Sequence, residues 1–249
     1  MDRVIDATTV DVLVVVFIAT LIRSTFGFGE ALFAVPLLAF RLPLAIAAPV
    51  AVLVSITIAT VVVIQDSQHI FWRSAGWLLT ATVCGIPLGL LLLTSSHQRT
   101  VKVLLGVLLI SFCVYSLGSR RKLELRLENR GWLLGCGFLA GVLGGAYGMN
   151  SPPLVIYGTM RRWTAQHFRA TLQGYFLPAS IVGMAGYWWR GLWVPAVTHY
   201  YLISLPVVLP AIFLGRLLNQ RLAGHSFSKF VYLCLAAIGA ALVIQTLSA

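Results

Sequence analysis

Blocks of about 20 consecutive apolar residues, the length of helix that crosses a hydrocarbon core, recur along the whole of this chain and leave few folds open. Six have that length: Leu44–Ile64, Ala75–Thr94, Val101–Leu117, Arg169–Trp189, His199–Leu218 and Lys229–Leu247. Two further stretches, Val10–Phe40 and Gly131–Met160, are overlong and broken. Thr25-Phe26-Gly27-Phe28-Gly29-Glu30 interrupts the first, and Gly144-Gly145-Ala146-Tyr147-Gly148-Met149-Asn150-Ser151-Pro152-Pro153 the second. With 59% hydrophobic and 10% charged residues among 249, no polar coat is left for a water-soluble globule. The expected fold is all-α: a polytopic membrane protein of eight hydrophobic segments, six full transmembrane helices plus two Gly/Pro-broken hairpin segments, forming a single transmembrane domain over 1–249.

Several function classes fall away at once. The net charge of +11 is carried by Lys and Arg in short loops between apolar blocks, which is membrane topology and not a nucleic-acid-binding face. Val10–Ile22 runs into the Gly-rich break with no small-residue cleavage site, so it reads as retained and not as a signal peptide. Cys84, Cys113, Cys136 and Cys234 lie inside apolar blocks without CxxC spacing, and the five histidines form no HxxxH pair. No metal and no cofactor is expected. No polar stretch is long enough for a soluble catalytic domain. An enzyme within the membrane needs a cluster of ionisable groups there, whereas only Arg23 and Glu30 stand well away from the ends of the apolar segments, so the chain does not read as an enzyme.

Setting Gly27 over Gly148 brings Phe26 over Tyr147 and Arg41 over Arg162 at one constant offset. The chain therefore reads as two repeats, 10–118 and 131–248, flanking a basic loop at 118–130. Charge then tests how the broken segments cross. If each is a single span, eight Lys/Arg fall on one side and nine on the other, which gives no positive-inside bias. If each enters and leaves on one side, Arg3, Arg41, Arg99, Lys102 and Arg190 oppose the remaining twelve, with Arg23 within the membrane. That hairpin scheme puts the basic loop in the cytoplasm, both termini outside, and an odd number of crossings in each half, so the repeats are inverted.

Irregular backbone is tolerated at membrane depth where protein or a water-filled cavity satisfies it. Half-helices starting near Gly29–Ala31 and near Ser151–Pro153 would aim free N–H groups and positive dipole ends at the centre, a site suited to an anion. Gly27, Gly29 and Gly148 let backbone approach a ligand. Asn150, Ser151, Thr171 and Gln173 add neutral hydrogen-bonding groups near the second tip, and Arg169 either enters the cavity or marks the cytoplasmic start of its span. Tyr147, Tyr175 and Phe26 either wall the cavity or, as aromatics in apolar helices more often do, simply pack. Glu30 either takes a proton during transport or pairs with a cation, and Arg23, seven positions back across the tip, is the candidate partner. An Arg23–Glu30 pair can be structural or can couple transport to a proton.

Phe26-Gly27-Phe28-Gly29 with Val35-Pro36-Leu37-Leu38, and Gly144 through Leu154 followed by Arg169-Ala170-Thr171, resemble the sulfite exporter TauE/SafE family of bacterial membrane transporters. The likeness covers nearly the whole chain. It implies export of a small sulfur anion, such as sulfite or an organosulfonate like sulfoacetate, across the bacterial cytoplasmic (inner) membrane. Two departures stand out: Glu30 where the family carries small residues, and Ala48-Pro49-Val50 where it carries a Thr-Ser pair. The other readings are an anion channel and a carrier of a different small anion or sulfur metabolite. Partners are then the small anionic substrate and the lipid bilayer, and the Gly-rich faces permit a homodimer as well as a monomer.

Overall fold

A computed structural model describes residues 7–66, 72–95, 98–118, 130–161, 165–221, 236–241 and 243–247. All regular structure among the described residues is helical. In chain order the helices are α1 (Ala7–Phe26), α2 (Glu30–Leu38), α3 (Leu44–Asp66), α4 (Trp72–Leu93), α5 (Gln98–Gly118), α6 (Arg130–Tyr147), α7 (Ser151–Met160), α8 (Ala165–Trp189) and α9 (Pro195–Arg221). Residues 236–241 and 243–247 are helical as well. Helices occur within a few residues of the described ends of the expected apolar blocks. Most of the basic loop, the start of the last span and Cys234 lie outside the described residues.

Among the described residues, four helices are long and apolar enough to cross a membrane: Ala7–Phe26, Leu44–Ile64, Gly76–Leu93 and Pro195–Leu218. Their outward faces are apolar too, with Ile18, Ile64, Leu91 and Phe213 among the exposed residues. Such a surface suits acyl chains and not water. This is a multi-pass membrane protein.

Both overlong segments break where the sequence places glycine. Gly27 and Gly29 adopt φ of 84° and 100°, and Gly148 a φ of 68°, left-handed values that a side chain disfavours. The helix restarts at Glu30 and at Ser151. Pro152 and Pro153 occupy the first turn of α7, where a missing N–H costs nothing. After the first break α2 packs back along α1, and Arg41 Nε reaches Asp11 Oδ2 at 3.0 Å. Near that end Lys102 Nζ, on α5, donates to Ala39 O at 3.1 Å.

Lipid offers apolar helices no hydrophobic gain for meeting one another, so close backbone approach at small residues supplies much of the contact. The α4–α6 seam uses it throughout. Gly85 and Gly89 face Gly141 and Gly145 so closely that a Cβ at Gly89 would lie 2.1 Å from Val142 O, and one at Gly141 2.2 Å from Thr82 O. Thr82 Oγ1 donates across the seam to Gly137 O at 2.9 Å. Gly135, on the same α6, meets nothing within 4 Å. On the other side of the molecule α1 packs on α9, with Gly215 against Leu21 O and Ser24. Between the two seams α3 packs on α8 and α9, and α8 on α4.

Candidate functional site

The two Gly-rich tips meet. Gly29, Glu30 and Ala31 from the first, and Gly148, Asn150 and Ser151 from the second, line one cavity together with Arg23, Phe28, Ser55, Phe176 and Ser180. Its volume is about 20 Å³, room for about one water molecule. α2 and α7 both begin at this cavity, so the N–H groups of their first turns lie at its edge, except at Pro152 and Pro153, which have none.

Arg23 and Glu30 are both buried, at 3% and 2% exposure. Arg23 Nη1 donates to Glu30 Oε2 at 2.6 Å and also to Ser55 Oγ on α3. Its Nη2 donates to Gln173 Oε1 on α8 at 3.4 Å, and the guanidinium carbon stands 5.0 Å from the Phe176 ring centroid. Gln173 also donates through Nε2 to Gly27 O at 3.1 Å. One amide side chain from the second half thus holds both the cation and the irregular backbone of the first tip. Arg23 Nε and Glu30 Oε1 have no hydrogen-bond partner among the described residues.

Of the residues expected at the site, Arg23, Gly29, Glu30, Gly148, Asn150 and Ser151 are brought together on the cavity. Gly27 is next to it, and Gln173 is attached to it through Arg23 and Gly27. Thr171 is fully buried with its Oγ1 unpartnered among the described residues, but it does not line the cavity. The side chain of Arg169 lies outside the described residues.

Of the candidate aromatics, Tyr147 and Tyr175 take the packing role. Tyr147 donates to Val101 O at 2.9 Å and Tyr175 pairs with Thr82 Oγ1 at 2.7 Å, so both hydroxyls serve helix packing. Phe28 and Phe176 wall the cavity instead. Ser55 and Ser180 were missed altogether. Each lies in a largely apolar part of its helix, where nothing local marks the side that faces the cavity. Among the described residues no group of three or more His, Cys, Asp or Glu side chains is placed to hold a metal ion.

The family model described as "Sulfite exporter TauE/SafE" matches residues 12–242. The chain is 26% identical over 210 residues to a probable sulfite/organosulfonate exporter TauE of Cupriavidus necator, a match covering 83% of this chain and 82% of that protein. No solved structure matches. The family match runs through both broken helices and nearly the whole of both halves, and this chain belongs to the sulfite exporter TauE/SafE family, whose members are exporters and not enzymes.

Proposed function

We propose that this protein is an ion-coupled carrier that exports a small sulfur-containing anion, sulfite or an organosulfonate such as sulfoacetate, across the bacterial cytoplasmic membrane by alternating access. One observation carries the reading: the helix starts of α2 and α7 open on a single buried cavity that also holds Arg23. Helix N-termini favour anions through free N–H groups and the dipole. Asn150, Ser151 and Ser55 add neutral donors suited to the several oxygens of a sulfite or sulfonate group. The substrate class rests on the family and on the printed name of the Cupriavidus relative.

Alternating access by two inverted repeats is supported by the way the halves correspond. The offset that carries Phe26 to Tyr147 also carries Glu30 to Ser151 and Leu44 to Ala165, three helix boundaries in each half. Packing pairs exchange under the same correspondence: α1 on α9 answers α6 on α4, α3 on α9 answers α8 on α4, and α3 and α8 pack on each other. The Asp11–Arg41 pair favours a first segment that enters and leaves on one side. A cavity of about 20 Å³ is too small for the substrate, so loading takes place in a state with the tips farther apart.

The test is counterflow in proteoliposomes. Vesicles preloaded with unlabelled sulfite, taurine-derived sulfonates, sulfate or carboxylate analogues are given labelled substrate outside. Trans-stimulation by sulfite or a sulfonate, and not by sulfate or carboxylates, is the expected result. A flux without trans-stimulation would mean a channel.

A further inference from the structure

Among the described residues that line the cavity, Arg23 and Glu30 are the charged ones, and they cancel each other. The neighbouring elements present neutral groups to the pair: Ser55 from α3, Gln173, Phe176 and Ser180 from α8, and Asn150 and Ser151 from the start of α7. An anion arriving against the intact pair finds a carboxylate beside the guanidinium it needs, and brings a net negative charge into a buried site with no further described cation lining it. Uncompensated charge is strongly disfavoured in such surroundings.

Resting on the anion-carrier reading above, we propose that the transported anion takes the place of the Glu30 carboxylate on Arg23, with one proton bound by Glu30 for each anion, so that anion and proton cross in the same direction and export runs down the anion's own outward gradient. The step balances simply. A proton from water forms an O–H bond on a Glu30 oxygen, Arg23 remains a guanidinium, and the anion binds to it with no covalent change. Neutral Glu30 then has an O–H that can donate, and Glu30 Oε1, which has no described partner, is free to take the proton without first breaking a contact.

The same arithmetic gives tight coupling. The empty site, with Arg23 on Glu30, is neutral, and so is the site holding a monoanion and a proton. With only the anion it is negative, and with only the proton positive. The neutral states can pass through the dry midplane during reorientation, while the half-loaded ones resist it. Glu30 is thus an internal substitute for the substrate, and it explains a carboxylate at a helix start otherwise suited to the anion.

The experiment uses wild-type protein and Glu30→Gln in proteoliposomes with an internal pH dye, and isethionate, whose sulfonate stays a monoanion near neutral pH. For wild type, each isethionate taken up should carry about one proton, and its apparent affinity should rise about tenfold per unit fall in pH, as one-proton linkage requires. Glu30→Gln leaves Arg23 unpaired and should bind isethionate independently of pH; its empty site is then positive and resists return, so the variant should exchange labelled for unlabelled isethionate without protons while net uptake falls. If isethionate is not carried, the two proteins are compared with sulfite at matched pH, where the protonation of sulfite itself is common to both; the expected difference is loss of the excess proton flux in Glu30→Gln. Wild-type transport with no accompanying proton overturns the exchange, as does a Glu30→Gln protein that keeps the wild-type pH dependence. Because the wild-type measurement stands alone, a poorly folded variant does not rescue the idea. A wild-type protein that moves no sulfur anion removes the carrier reading itself and this inference with it.

Discussion

The Arg23 guanidinium meets the Glu30 carboxylate at 2.6 Å across a tip whose turn contains two left-handed glycines. Removing one partner of a buried pair leaves the other charge uncompensated, at a cost of about 3–5 kcal/mol. Arg23→Met alone should therefore lower thermal stability in detergent markedly. Arg23→Met with Glu30→Gln should recover most of that stability while transport stays absent. If the double variant is as unstable as the single one, the pair is not the cause of the loss.

Asn150 stands at the second tip, immediately before the first residue of α7, and lines the cavity. Replacing it with Leu removes hydrogen bonding to a charged ligand, about 1.5–3 kcal/mol, which weakens apparent affinity about 10- to 150-fold. Binding measured by isothermal titration on correctly folded protein checks this. Wild-type affinity in Asn150→Leu would exclude this tip as the principal anion site.

Gly148→Val should be more damaging than Asn150→Leu. The position has φ 68°, and even a Cβ there approaches Val52 Cγ2 at 3.0 Å, so a β-branched side chain meets strain and crowding together. The expected readout is loss of folded protein by size-exclusion chromatography.

The α4–α6 seam should tolerate no added carbon at its core. Gly89→Ala and Gly141→Ala each put a methyl within about 2.2 Å of a backbone oxygen on the facing helix. Both should lose most folded yield, whereas Gly135→Ala and Gly183→Ala, which meet nothing within 4 Å, should express like the parent. Equal yields from all four would mean that the seam is not closely packed.

Topology is open to labelling with impermeant thiol reagents in a background where the native cysteines are replaced. A cysteine within 118–130 should be protected in intact cells and one at position 41 labelled. Labelling of the two on the same side would overturn the inverted scheme.

Much of the architecture was legible from residues alone, because membrane crossing is set by length and apolarity and helix restart by local chemistry. The tips are the clearest case: Gly27, Gly29 and Gly148 allow the left-handed turn, and Ser151-Pro152-Pro153 starts the next helix, each for reasons contained within a few neighbouring residues. Arg23 and Glu30 were paired from the same local logic, since a charge at membrane depth needs a partner and the tip brings seven positions within reach. Ser55, Ser180 and Phe176 could not be read this way, because α3 and α8 are apolar along most of their lengths and nothing local says which side faces the cavity. Packing of α3 against α8 made that choice. It also turned Tyr147 and Tyr175 to helix seams and assigned both ends of the Gln173 amide to the first tip, more than 140 residues away. Local sequence determined where the chain breaks and which residues cannot be left alone in lipid; only the tertiary packing decided which distant side chains satisfy them, because those partners, Ser55 and Gln173, lie 32 and 150 positions from Arg23 along the chain.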